Sequence, residues 1–208
     1  AAAALEAGFI NLKYHIENLK RFGLTPIICI NHFATDTPDE LNLLKELCQG
    51  QGIKVAVSSH WAKGSEGAIE LAELVIEALS KDTHIQMMYA DDLSLQEKVE
   101  AVATKIYHAS GVDFTAIAAR DLRRFEDAGF GHLPVCIAKT QYSLTVDPKR
   151  TGILPDEHRL PVREVRLCAG AGFIVIICGD IMTMPGLPRS PAALEIGLNE
   201  DGEITGLF

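Results

Sequence analysis

The chain has 208 residues, of which 48% are hydrophobic and 23% charged, and its net charge is −9. This balance is ordinary for a globular domain with a sizeable core. The charge excludes the basic footprint of a nucleic-acid binder and the polybasic segments that anionic membranes attract. No apolar run reaches the roughly 18 residues of a membrane span, and no leader pattern opens the chain. A cytoplasmic protein with no membrane and no nucleic-acid partner is expected. Residue 1 is alanine rather than methionine, which predicts a fragment or a processed chain.

The elements follow in order. Leu5, Phe9, Leu12, Ile16 and Leu19 recur at helical spacing and predict a helix over 2–22, stopped by Gly23. Residues 26–31 read as a strand. Thr37, Pro38 and Glu40 spell a capping box with proline at the first helical position, and Gly50 and Gly52 end that helix. Residues 53–58 read as a second strand, followed by a helix over 66–79. This strand–helix alternation predicts part of a doubly wound α/β sheet with flanking helices.

Further on, Ser94 caps a helix predicted to reach about residue 109, residues 111–114 read as a loop, and a helix is expected over 117–127. Strands are expected at 135–138, 162–167 and 173–178, with a long surface loop over 143–161. A hairpin should close the chain around the Asn199–Gly202 turn. The C-terminal sheet should be smaller, mixed or antiparallel. A division into 1–130 and 131–208 is expected. Cys29, Cys48, Cys136, Cys168 and Cys178 are odd in number and lack C-x-x-C spacing. They read as buried free thiols of a reducing compartment, and no metal site is predicted.

Candidate chemistry lies at the strand ends. Ligands of open parallel sheets bind outside the carboxyl ends of the strands. Phe33 and Trp61 each follow one of the first two strands, set in the polar stretches Asn31–Asp36 and Ser58–Lys63. Two aromatics at one edge can sandwich a flat heterocycle; equally, each can cap the core beneath a loop. His32 and His60 follow the same strands. Lys139, Thr140 and Gln141 follow a later strand and can meet a phosphate or carboxylate, or simply be polar strand-end residues. Gly64-Ser-Glu-Gly67 can offer amides to an anion or tighten a loop. It matches neither G-x-x-x-x-G-K-[ST] nor G-x-G-x-x-G. Gly170-Ala-Gly172 reads as a strand start or bulge, and Met182-Thr-Met-Pro-Gly-Leu-Pro188 as a rigid turn.

These stretches resemble the formate–tetrahydrofolate ligase family. The match runs through Asn31-His-Phe-Ala-Thr-Asp-Thr37, Trp61-Ala-Lys-Gly-Ser-Glu-Gly67 and Gly131-His-Leu-Pro-Val-Cys-Ile-Ala-Lys-Thr-Gln-Tyr-Ser143. It continues in Val162-Arg-Glu-Val-Arg166, Ala169-Gly-Ala-Gly-Phe173, Met182–Pro188 and Gly206-Leu-Phe208, in family order. The resemblance implies that ATP, with Mg²⁺, phosphorylates formate. The N10 nitrogen of tetrahydrofolate then attacks the formyl phosphate. It implies that Phe33 and Trp61 stack on the folate pterin, with His32, Lys139 and Gln141 as further candidate contacts. It also implies a cytoplasmic homotetramer. The family's phosphate loop lies near its N-terminus and has no counterpart here. Catalytic residues are therefore expected in a missing N-terminal part, and the chain alone should be inactive. The alternative is a folate-binding or oligomerisation module with no ligase activity of its own. Ser65 and Cys168 depart from the family's usual glycine and serine, and residues 151–161 diverge.

Overall fold

The computed structural model describes residues 2–155, 157–181 and 189–206. The Met182–Pro188 stretch and the final Leu207-Phe208 lie outside the described residues. The chain is α/β, as its alternating pattern predicts. It carries a two-stranded sheet, a four-stranded sheet and a small C-terminal hairpin.

Helix α1 (Ala2–Arg21) packs one side against α2 and the two-stranded sheet. Phe9, Leu12 and Ile16 join Ile28, Leu44, Cys48, Ile53 and Val55 in a first apolar cluster. The other side of α1 ties to the second half of the chain. Asn11 Oδ1 accepts the Gly152 N–H at 2.9 Å, Asn18 Nδ2 donates to the Ile106 carbonyl at 2.8 Å, and Arg21 donates to the Lys105 carbonyl. The Tyr14 ring lies 5.1 Å from that of His108.

Strand β1 (Ile27–Asn31) leads through α2 (Pro38–Gly50) to β2 (Lys54–Ser58), which pairs with β1 in parallel. The predicted capping box at Thr37 is present: Glu40 N–H donates to Thr37 Oγ1 at 3.3 Å, and Thr37 N–H donates to Glu40 Oε2 at 3.0 Å. That pairing holds the Glu40 carboxyl below the usual carboxylate range, first through the backbone bond from Thr37. After β2 the chain makes a short helix α3 (His60–Lys63), a 3₁₀ turn (Gly64–Ala68) and α4 (Ile69–Leu79). The single helix expected over 66–79 thus starts as a tighter turn, because Gly64 sits at φ +60° and breaks the α path.

Helix α5 (Leu95–Lys105) has a second capping box, between Ser94 and Glu97. It ends short of residue 109 because His108 takes φ +55°. Residues expected to form a loop instead form β3 (Val112–Phe114), a strand made by parallel pairing with a segment about fifty residues away. Helix α6 (Ala116–Phe125) is capped by Thr115 and leaves through a wide turn at Gly129, φ +86°. Then come β4 (Val135–Ala138), β5 (Leu160–Cys168) and β6 (Phe173–Cys178), giving the order β3-β5-β6-β4.

Pairing is antiparallel between β5 and β6 and parallel at β3–β5 and β4–β6. The Gly170–Gly172 segment is the turn between β5 and β6: the Ala171 and Gly172 N–H groups both donate to the Cys168 carbonyl. A register shift between Val162 and Glu164 lets Val162 and Val165, three residues apart, face one core. That core joins Leu95, Val99 and Ala103 of α5 and Ala118, Leu122 and Phe125 of α6 to Leu160, Val162, Ile174 and Ile176. It therefore draws on both sides of residue 130, the boundary expected from the sequence.

The loop before β5 is anchored to α1 through Gly152 and Leu154. Strands β7 (Gly197–Leu198) and β8 (Ile204–Thr205) make the terminal hairpin, shorter than predicted. Cys48 and Cys178 are buried as expected, but Cys29 and Cys136 are exposed. Both lie on strands at the margin of their sheets, where one flank lacks a neighbour.

Candidate functional site

The strands β1 and β2 run in register, with Asn31 opposite Ser58, so their carboxyl ends reach one edge. The His32 N–H donates to the Ser58 carbonyl at 2.9 Å and ties the two exits together just beyond the strands. The β1 exit then folds on itself. The Asp36 carboxylate accepts the Phe33 N–H at 2.8 Å, and the Asp36 N–H donates to the Phe33 carbonyl at 3.0 Å. This closed turn presents the Phe33 ring outward, and the Thr37 cap fixes where it ends.

The β2 exit enters α3 at once, which places Trp61 in its first turn. The Trp61 indole N–H donates to the His32 carbonyl. The second ring is thereby tied to the backbone next to the first. Phe33 and Trp61 are each 56% exposed. Among the described residues the close ring pair is Tyr14 with His108, not Phe33 with Trp61.

Glycines shape the Trp61 loop. Ser59 N–H donates to the Gly67 carbonyl at 3.0 Å. A Cβ at Gly67 would fall 2.5 Å from the Ser59 carbonyl carbon, so no larger residue fits without moving backbone. The Gly64–Gly67 stretch closes this loop. Beneath it, buried Ser58 pairs its hydroxyl with His60 Nδ1 at 3.0 Å. The Phe33–Asp36 turn and the hydroxyl partner of His60 were not foreseen from the sequence. The three-residue spacing from Phe33 to Asp36 was the available signal.

The structure brings together Phe33, Trp61 and His32, the last through its backbone carbonyl. It places Lys139 and Gln141 elsewhere, just past β4 in the other sheet. There they line a cavity of about 340 Å³ with Asn11, His15 and Tyr107. The Lys139 ammonium donates to the Thr140 carbonyl at 2.8 Å and to the Ser143 carbonyl, and lies 4.8 Å from the Tyr107 ring centroid. These contacts clamp its own loop. Burial pushes the Lys139 pKa down to about 8 and that of the Cys178 thiol up to about 12. Among the described residues no three His, Cys, Asp or Glu side chains gather to hold a metal ion.

Comparison with known proteins gives the chain a family. The family model for formate–tetrahydrofolate ligase matches residues 1–208. The chain belongs to the formate–tetrahydrofolate ligase family. It is 51% identical over 207 residues to the formate–tetrahydrofolate ligase of Maricaulis maris, covering 99% of this chain and 37% of that ligase. The ligase of Ruegeria pomeroyi is 51% identical over 207 residues and that of Paracoccus denitrificans 48% over 206, again at 99% and 37% coverage. The chain thus spans 37% of the length of these ligases. No described helix is long and apolar enough to cross a membrane.

Proposed function

We propose that this chain is the acceptor-binding portion of a formate–tetrahydrofolate ligase, with the folate pterin held between Phe33 and Trp61. The observation that carries this reading is the Trp61 indole bond to the His32 carbonyl. It ties Trp61 to the backbone next to Phe33 at the carboxyl edge of a parallel pair, with both rings exposed. A planar heterocycle gains dispersion and quadrupole attraction from each aromatic face. Held at both faces, it loses the freedom that a bimolecular encounter would otherwise have to remove, which favours attack by N10.

In this reading the full-length ligase forms 10-formyltetrahydrofolate from formate, ATP and tetrahydrofolate through formyl phosphate. The phosphate-binding residues and the Mg²⁺ site belong to the portion of the ligase outside these 208 residues. In this reading these 208 residues carry no phosphoryl-transfer step. Their share of the chemistry is to bind and orient the acceptor. His32 contributes its carbonyl, while Lys139 and Gln141, in a different cavity, are proposed only as loop-shaping residues. A cytoplasmic homotetramer remains part of the proposal by family likeness.

A second reading, a docking or oligomerisation module without activity of its own, is favoured by exposed apolar side chains on α4, among them Ile76 at 68% and Leu79 at 79%. Titrating the purified chain with a tetrahydrofolate analogue and following fluorescence from Trp61, the one tryptophan, separates the two. Folate binding predicts quenching that disappears in Trp61→Phe. It also predicts binding about five- to tenfold weaker in Phe33→Ala, the equivalent of about 1 kcal/mol for one stacked ring. An unchanged signal at saturating analogue would leave the module reading alone. No formate- and ATP-dependent turnover is expected from the isolated chain.

A further inference from the structure

Lys139 holds the start of the loop that follows β4. Its side chain folds back at the strand end, where Nζ donates to the Thr140 carbonyl at 2.8 Å and to the Ser143 carbonyl. Ser143 passes the link on. Its hydroxyl donates to the Arg150 carbonyl and accepts the Thr145 N–H at 3.0 Å. Thr145 is buried, and its hydroxyl oxygen accepts the Asp147 N–H at 3.2 Å. One amine thus begins a series of hydrogen bonds that reaches from residue 139 to residue 150. Two residues later, Gly152 is tied to Asn11 of α1.

An ammonium carries three N–H donors. Two positions on Lys139 Nζ are committed to carbonyls, which leaves one for a lone pair once a proton departs. Lys139 and Tyr107, whose ring centroid lies 4.8 Å from Nζ, share the wall of the cavity of about 340 Å³. Asn11, His15, Thr140, Gln141 and Thr151 add hydrogen-bonding groups to that wall. No described Asp or Glu lines it, although the chain has a net charge of −9. A pocket with one amine, several neutral polar groups and no carboxylate suits an oxyanion. Phosphate accepts donors from several sides, and lysine meets it as a point charge. Burial also lowers the Lys139 pKa to about 8, and a desolvated lysine of this kind is an activated nucleophile. Lys98 supplies the contrast. Its ammonium also clasps two carbonyls, but it is fully buried and closed to any reagent. Lys139 is only half-buried and faces a cavity.

We propose that Lys139 is a site of acylation by acyl phosphates, and that acylation releases the loop over residues 139–150. The cavity's polar groups hold the phosphate end of the donor. The neutral Nζ attacks the acyl carbon. The bond from that carbon to the phosphate oxygen breaks, and phosphate leaves with the electron pair. The proton lost by nitrogen goes to the departing phosphate, so the products are an amide and inorganic phosphate. The amide nitrogen keeps one N–H and no charge. It cannot serve the Thr140 and Ser143 carbonyls together, and the link from Lys139 through Ser143 to Arg150 loses its first member. Formyl phosphate, the intermediate of the ligase reaction proposed above, belongs to this class of donor. The natural source of the acyl group rests on that reading, whereas the reactivity of Lys139 does not.

The test treats the purified chain with acetyl phosphate and maps acetyl-lysine by peptide mass spectrometry. At pH 8 Lys139 is expected to react about tenfold faster than the exposed Lys63 and Lys149, because an amine that titrates near 8 is neutral far more often than an ordinary lysine. Its rate should level off above about pH 8. Inorganic phosphate should slow the reaction by competing for the cavity. The preference for Lys139 should shrink with p-nitrophenyl acetate, an acyl donor without phosphate. After modification the Thr145, Asp147 and Gly152 amides should exchange with solvent about fivefold faster or more, with the amides of α5 as internal reference. Lys139→Gln, uncharged like the amide, should loosen the same amides without reagent. If that variant does not fold, labelling and exchange of the unaltered chain still decide. Acetylation of Lys139 no faster than that of the exposed lysines, or unchanged exchange after modification, overturns the proposal. A preference that persists with p-nitrophenyl acetate and ignores inorganic phosphate overturns the assignment to acyl phosphates. The Trp61 titration tests the folate reading separately and leaves these outcomes untouched.

Discussion

The four-stranded sheet packs α5 and α6 against a face in which Val162, Ile174 and Ile176 are fully buried, whereas the two-stranded sheet leaves Cys29, Phe33 and the outer arc of α4 in solvent. The first region satisfies its own apolar surface; the second does not. The difference shows where stability and function are expected to lie. A closed core supplies the free energy that holds the chain, while an open layer presents rings and backbone to partners. Helix α1 joins them, apolar toward the two-stranded sheet and hydrogen-bonded to the end of α5 and the loop before β5.

This contrast can be broken most directly in the closed core. Ile176→Ala should cost about 2–5 kcal/mol, because the well-packed site cannot collapse around the lost methylenes. Ile28→Ala in the open layer should cost less, since Ile28 is only half-buried. Denaturant unfolding followed by circular dichroism gives both values, and equal losses would erase the distinction. In the same experiment Trp61 fluorescence should change at lower denaturant than ellipticity.

Next in size is Lys98, fully buried, whose ammonium donates to the Gly131 carbonyl at 2.8 Å and the Leu133 carbonyl at 3.3 Å. Lys98→Ala should destabilise by about 2–3 kcal/mol by leaving those carbonyls unpaired. Lys98→Met should recover the packing part of the loss but not the hydrogen bonds. In the open layer, Gly67→Ala forces a Cβ against the Ser59 backbone and should cost about 1–3 kcal/mol. It should weaken folate-analogue binding more than Ile28→Ala does, because the displaced loop carries Trp61.

The smallest expected effect concerns the seam between the regions. Burial pushes the His108 pKa below its ordinary value, with Arg21 adding to the shift and Glu17 opposing it. His108 Nε2 also lacks a hydrogen-bond partner. The unfolded chain then binds the proton more readily than the folded one. Stability from this group is present above the unfolded value of about 6.5 and falls as pH drops below it. His108→Asn, which tolerates the positive φ, should flatten the pH dependence of the denaturation midpoint below about pH 6.5. An unchanged slope would place the titrating group elsewhere.

Much of the fold was legible because its signals are local. The capping boxes at Thr37 and Ser94, the apolar spacing of α1 and the runs of β1, β2, β4 and β6 all depend on residues within a turn or two of each other. Strand β3 was missed because Val-Asp-Phe has no pattern of its own and exists through pairing with β5. The exposure of Cys29 and Cys136 was missed because an apolar run reads as buried whether or not a neighbour arrives to bury it. For the candidate edge, Phe33 and Trp61 were legible from their strand-end positions. Lys139 and Gln141, read separately as residues following a later strand, line another cavity.

The sequence by itself determined the element order, the capped helix starts, the two aromatic strand ends and membership of the ligase family, since each is written in short stretches of chain. Tertiary structure alone decided that hydrogen bonds from His32 to Ser58 and from Trp61 to His32 join the two exits, that α1 ties the first sheet to the end of α5, and that β1 stands open. Those outcomes depend on which distant surfaces meet, and an isolated apolar strand carries the same letters whether it is covered or bare.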